Sequence, residues 1–455
     1  MSTPHPALVL ALLPVVLTAC ADDVVYKINN TYVMDDEEPG AEDPDADLYA
    51  ELPVAPTISA DQLPLDVFGP EDNTWWLNVS ESGVEKLNQP WTLGAADYVE
   101  YDPPREVSTE NLLVVTPSGE VADYGEVGIS LIEQLTSAPW TSSTIPSFRL
   151  DADEQVEGQR FGGLERVGLD SAGYGSMFGA ASALAVFRAL GLPAARTAYA
   201  WVGGSGWEND ALLVPMLVRE AYDGVFCEAN AALLGGGCET LRTFNGEITN
   251  TLAVSQATCE VGDCGDDTNI NALQKALKAN FRTQSFDEKT EPYFDWTQFH
   301  RSTCAHWLLW IADDYVHQLN NVVLVEGLDG RFRLLPSPND IVAGYAYGGI
   351  YNNTPLFSAA ILSSGCNQDD SCREAQLDTC EQVINEFEAM DPVSLIDGLA
   401  ERLRDAEAPW GEYPGGMWRE PDDAAYEHHR SFYETRAASA RAELETLRAA
   451  QAVNR

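Results

Sequence analysis

Between residues 63 and 147 short apolar or aromatic runs alternate with Gly, Pro and Asn: DVFG, TWWLNVS, YVEYD, NLLVVT and ADYGEVGISL. Short runs bounded by turn formers predict β-strands. Phe148–Leu150 continues the series. The pattern then changes to MFGAASALAVFRAL, which is apolar nearly all round and predicts a buried helix. Asp170-Ser171 is its expected cap, and Gly191 and Pro193 its expected stop. Next, TAYAWVGG and ALLVPMLVRE predict a strand pair that leads to Glu220.

From about Cys227 to Glu291 the chain is rich in Cys, Gly and Asn, with one amphipathic helix expected near residues 272–281. Asp295 is placed to cap a long helix, WTQFHRSTCAHWLLWIADDY, whose C-terminal end carries Asp313 and Asp314. Acids oppose the dipole at that end of a helix, so their presence points to a functional demand. Asn320-Asn321 then leads into VVLVEGLDGRFRLL, two strands around a turn at Gly327, Asp329 and Gly330. Such a hairpin brings Asn321 and the later Asp340 to one end, where carboxylate and amide oxygens suit a Mg²⁺–phosphate site. Beyond about Glu374 the sequence is helical and ends in the charged amphipathic segment SARAELETLRAAQ. The pattern as a whole is α+β: a β-rich N-terminal lobe over 61–226, and a helical C-terminal lobe over 227–455 with a Cys-rich insertion at about 227–291.

Charge and cysteine usage narrow the setting. The 455 residues carry 72 acidic and 26 basic side chains, a formal charge of −46. Phosphate backbones attract basic surfaces, so nucleic acid is not an expected partner. The apolar run Ala7–Leu17, followed by Leu17-Thr18-Ala19-Cys20, resembles the lipobox of bacterial lipoproteins and predicts an export signal over 1–20 with Cys20 acylated. Residues 21–60 include DDEEPGAEDPDAD, too polar to bury a core, and are expected to form a tether. The expected location is therefore the cell envelope, outside the cytoplasm and attached to the membrane through Cys20. Eight further cysteines, an even number, predict disulfides in an exported chain. Cys259/Cys264 and Cys366/Cys372 could staple local loops, and the connectivity stays open at this point. No CxxC pair supports zinc. The hydrolase elbow G-x-S-x-G occurs only in broken form, as Gly203-Gly204-Ser205-Gly206-Trp207.

The stretches PSFRLDADE, GQRFGGLERVGLDSAG and LAVFRALGLPAARTAYAWV, in this order, resemble the CotH family of spore-coat-type proteins. The likeness continues through Glu220, Asp223 and Phe226, the Asp-x-Tyr at Asp313–Tyr315, the Asn before a strand, and Leu335-Pro336. It covers about residues 121–360. It implies an atypical protein-kinase-like fold and transfer of phosphate from ATP, with Mg²⁺, to Ser of a secreted protein substrate. By position, Asp313 would be the catalytic base, Asn321 and Asp340 metal ligands, and Arg149 and Glu220 cofactor-binding residues. Two departures stand out. Pro338 occupies the place of the family's first acidic residue after Leu-Pro, and Pro146 that of the Lys before Ser-Phe-Arg. A protein that keeps the fold without catalysis, as an inactive pseudokinase binding an envelope partner or serving a structural role, is the alternative these departures leave open.

Overall fold

The computed structural model describes residues 57–59, 65–69, 72–92, 107–132, 146–171, 177–205, 213–311, 313–337, 342–343, 355–405 and 420–454. All of them belong to one compact unit, Tyr49–Arg455. Cys20, Pro338, Asp340 and the YVEYD run lie outside the described residues.

The first ten strands form one sheet. They are β1 (Thr57–Ser59), β2 (Asn73–Asn78), β3 (Val107–Ser108), β4 (Asn111–Val115), β5 (Val121–Asp123), β6 (Gly128–Leu131), β7 (Phe148–Asp151), β8 (Arg166–Asp170), β9 (Thr197–Ser205) and β10 (Leu213–Glu220). The order across the sheet is β1-β5-β4-β2-β9-β10-β8-β7-β6-β3. Only β1/β5 and β2/β9 pair in parallel. Alternation sorts the side chains by face. Trp75, Leu77, Val114, Leu150, Ala200 and Val218 enter one core. From the other face, Trp76, Tyr199, Trp201 and Leu217 pack with Met177, Phe178 and Ala181 of helix α1 (Met177–Ala189). The remaining side of α1, including Leu184 and Phe187, enters a third cluster among the C-terminal helices. That two-sided burial accounts for its uninterrupted apolar sequence. Asp170 does not cap this helix: it ends β8, where Arg219 of β10 holds it at 3.1 Å.

The Cys-rich stretch is integral to a second sheet. Strands β11 (Cys238–Phe244) and β12 (Thr258–Val261) join β13 (Val322–Gly327) and β14 (Phe332–Leu335) in the order β12-β11-β13-β14. Val322 and Leu324 face one cluster, with Phe294, Trp296 and Phe299. Val323, Val325 and Leu335 face another, with Phe226 and Leu241. Cover on both faces explains why β13 reads as a continuous apolar run rather than an alternating one. The two sheets meet at Glu260 of β12, whose carboxylate takes Arg166 of β8 at 2.9 Å and Arg149 of β7 at 3.4 Å.

The helices that matter for the site are α2 (Trp296–Leu308), α3 (Tyr315–Gln318), α4 (Asp370–Ala389), α5 (Pro392–Asp405) and α6 (Glu420–Asn454). Four disulfides are present: Cys227–Cys238, Cys259–Cys264, Cys304–Cys380 and Cys366–Cys372. Both short-range pairs named from the sequence are among them. The third ties α2 to α4.

Candidate functional site

Helix α2 ends earlier than its sequence predicts. The N–H of Trp310 bonds to the carbonyl of Trp307, and that of Ile311 to the carbonyl of His306. Trp310 adopts a left-handed φ of 49°. These are the two bonds of a Schellman stop, with a tryptophan where glycine is usual. Asp313 and Asp314 therefore lie beyond the helix rather than on its last turn. Asp314 instead opens α3, its side chain accepting the His317 N–H at 2.7 Å. A carboxylate that opposed the dipole at a C-terminus becomes an N-cap that satisfies an orphan donor.

Below this turn is a small cleft with an empty volume of about 330 Å³, its open mouth included. Phe299, Ser302, Thr303 and His306 line it from α2, at the three- and four-residue spacings that share one helix face. Asp314, Tyr315 and Val316 enter from α3, Asn321 to Val323 from the start of β13, and Leu334, Leu335 and Ser337 from the end of β14. The hairpin thus brings Asn321, before β13, and Ser337, after β14, to one cleft; Asp340, expected beside Asn321, lies outside the described residues.

Three groups organise the polar side. The His317 ring donates from Nδ1 to Asp314 Oδ1 at 2.8 Å and from Nε2 to the Pro355 carbonyl at 3.0 Å. Both nitrogens face acceptors, which describes an imidazolium. Burial works against that charge, but the Asp314 carboxylate outweighs it and the ring's pKa is raised. Burial likewise works against the charge on Asp314, and His317 and His306 together hold its pKa below the usual range. His306 donates from Nδ1 to the Ser302 carbonyl at 2.7 Å, leaving Nε2 turned toward Asp314 Oδ2 at 3.7 Å. Burial lowers the His306 pKa, with Asp314 acting in the opposite direction.

The residues singled out in the sequence fall into two groups. Asp313 and Asn321 come together: Asn321 Nδ2 donates to the Asp313 carbonyl at 3.0 Å, and Asn320 Nδ2 to Asp313 Oδ1 at 2.6 Å. Asn321 has φ 50°, and its N–H bonds to Asn245 Oδ1 at 2.9 Å. Asp313, Arg149 and Glu220 are not among the residues that line this cleft, whereas Asn321 is. Arg149 is engaged by Glu260, and Glu220 is buried against Arg196, accepting its guanidinium at 2.7 Å and its backbone N–H at 3.0 Å. Sequence reasoning missed Asp314, His306 and His317 as a group. The one local signal was the Asp-x-x-His spacing of a helix start, because eight residues and a chain reversal separate His306 from Asp314.

No family model and no curated protein matches this chain. Among the described residues no helix is long and apolar enough to cross a membrane. The four disulfides fit an oxidising compartment outside the cytoplasm.

Proposed function

We propose that this is an exported, kinase-related protein that transfers phosphate from ATP to Ser of an extracytoplasmic protein. The observation that carries the reading is the bonding of Asp313 to Asn320 and Asn321 just ahead of the β13–β14 hairpin. A carboxylate oriented by a neighbouring amide, here that of Asn320, is what a hydroxyl nucleophile needs to lose its proton. In this reading Asp313 is the base, accepting that proton. Asn321 and Asp340 would hold Mg²⁺, and an amide with a carboxylate is a donor set that fits a hard cation. When bound, the ion would neutralise charge on the transferring phosphate.

A second reading, a pseudokinase that binds an envelope partner without catalysis, is favoured by the engagement of Arg149 and Glu220. Both side chains pair with protein groups instead of facing the cleft, and Pro338 supplies no carboxylate. Attachment to the membrane through Cys20 belongs to either reading and rests on the apolar run before it. Thermal melting with and without millimolar ATP·Mg²⁺, paired with a phosphate-transfer assay, separates them. A shift with transfer supports the kinase; a shift without transfer supports the binding protein; no shift sinks the nucleotide site.

A further inference from the structure

We propose that His306 Nε2 and Asp314 Oδ2 are the two protein ligands of a first-row divalent transition-metal ion, Zn²⁺ being the probe of choice, bound at the inner wall of the cleft. The proposal uses different ligand atoms from the ATP·Mg²⁺ reading and stands whether or not phosphate is transferred.

The geometry around the two atoms is already that of a finished outer shell. A ligating histidine almost always donates its other ring N–H to a carbonyl or carboxylate, and a ligating carboxylate is itself hydrogen-bonded. His306 Nδ1 donates to the Ser302 carbonyl at 2.7 Å, which fixes the tautomer and leaves a lone pair on Nε2. Asp314 Oδ1 is filled by the His317 N–H at 2.7 Å and the His317 ring at 2.8 Å. Only Oδ2 is left. Asp314 is 4% exposed, and Oδ2 is buried without a hydrogen-bond partner. Oδ2 is thus the one oxygen of this carboxylate whose lone pairs no hydrogen-bond donor fills.

Nε2 and Oδ2 stand 3.7 Å apart, and both are acceptors. That is too long for a direct hydrogen bond. It is near the separation of about 3.4 Å expected for two ligands, each about 2.1 Å from one tetrahedral ion. A few tenths of an ångström of closure would seat the ion. One imidazole nitrogen with one carboxylate oxygen favours a first-row ion such as Zn²⁺ over Mg²⁺. On the same cleft wall Thr303 Oγ1 is a second buried polar atom without a hydrogen-bond partner. Two protein ligands leave the ion's other positions to water or a bound ligand. His300, Cys366 and Cys372 also lie close together, but the two sulfurs are bonded to each other and do not form a competing site.

The test is an anomalous difference map from crystals of the full chain equilibrated with Zn²⁺, with chelator-buffered Zn²⁺ titrations alongside. The expected result is one strong anomalous peak about 2 Å from both Nε2 and Oδ2. His306→Gln and Asp314→Asn should each weaken that stoichiometric site at least tenfold. A map with no anomalous signal between the two atoms, or with peaks only at surface carboxylates, overturns the proposal. So does a Zn²⁺ affinity that neither variant changes. If a variant does not fold, the map from the unsubstituted protein decides alone.

Discussion

His317 hydrogen-bonds Asp314 twice, from its backbone N–H at 2.7 Å and from its ring at 2.8 Å, and both side chains are almost wholly buried. One carboxylate therefore caps helix α3 and balances a buried imidazolium. Asp314→Ala removes both roles and should cost about 3 kcal/mol or more, since breaking one side of a buried pair strands the other charge. Asp314→Asn keeps the cap but not the charge and should cost about half as much. Urea unfolding of both variants measures the difference. Equal losses would show that the cap contributes nothing beyond the charge.

Arg333 is buried in β14 and holds two carboxylates, Asp329 in the hairpin turn at 2.7 Å and Asp295, the cap of α2, at 2.8 Å. Its bonds to Asp329 hold that carboxyl far below the usual carboxylate range. This pair fixes the hairpin against the helix that supplies one wall of the cleft. Arg333→Met should destabilise by about 3 kcal/mol. Adding Asp329→Asn should then cost less than it does alone, because the two changes remove one network. Strict additivity in a double-mutant cycle would show that the network is not coupled.

Disulfides of unequal span make unequal contributions. Cys304–Cys380 closes a separation of 76 residues and Cys366–Cys372 one of 6. Loop-closure entropy assigns about 4 kcal/mol to the first and about 2 kcal/mol to the second. Paired Cys→Ala variants compared by chemical denaturation should preserve that order. The reverse order would point to an enthalpic origin.

Acid should unfold the protein through its buried histidines. Burial lowers the His300 pKa to about 4, and burial together with neighbouring His428 lowers that of His429 to about 3. The unfolded rings take up protons near pH 6.5, well before the folded ones. Their stabilisation is therefore complete above about pH 6.5 and declines as the pH falls toward the folded values, each ring contributing a slope of about 1.4 kcal/mol per pH unit. Melting temperature measured from pH 7.5 to 4 should fall across this window, and the slope should lessen in His300→Gln. A flat profile would contradict the assignment.

Much of the fold was legible in the sequence because local pattern and tertiary environment agree. Gly327–Gly330 turns β13 into β14 as its glycines require, with Gly330 at φ 77°. The apolar run of α1 is buried on both sides. The end of α2 was not legible, because Trp310 occupies a left-handed position that sequence reasoning reserves for glycine. Packing explains the choice: its ring meets Phe432 at 5.1 Å and Arg436 at 5.2 Å. The site was half legible. Asp313 and Asn321 are eight residues apart and meet through a local turn, whereas His306 reaches Asp314 only because α2 stops where it does. The engagement of Arg149 by Glu260 is a contact between two sheets, 111 residues apart, which no local pattern encodes.

The central claim is that Asp313 serves phosphate transfer. The most direct measurement follows labelled γ-phosphate from ATP·Mg²⁺ onto Ser of a secreted acceptor protein, comparing the full chain with Asp313→Ala. The account predicts transfer by the unsubstituted protein and a loss of at least about a hundredfold in the variant. Transfer that survives the substitution unchanged, or no transfer by the unsubstituted protein to any acceptor including itself, would contradict it.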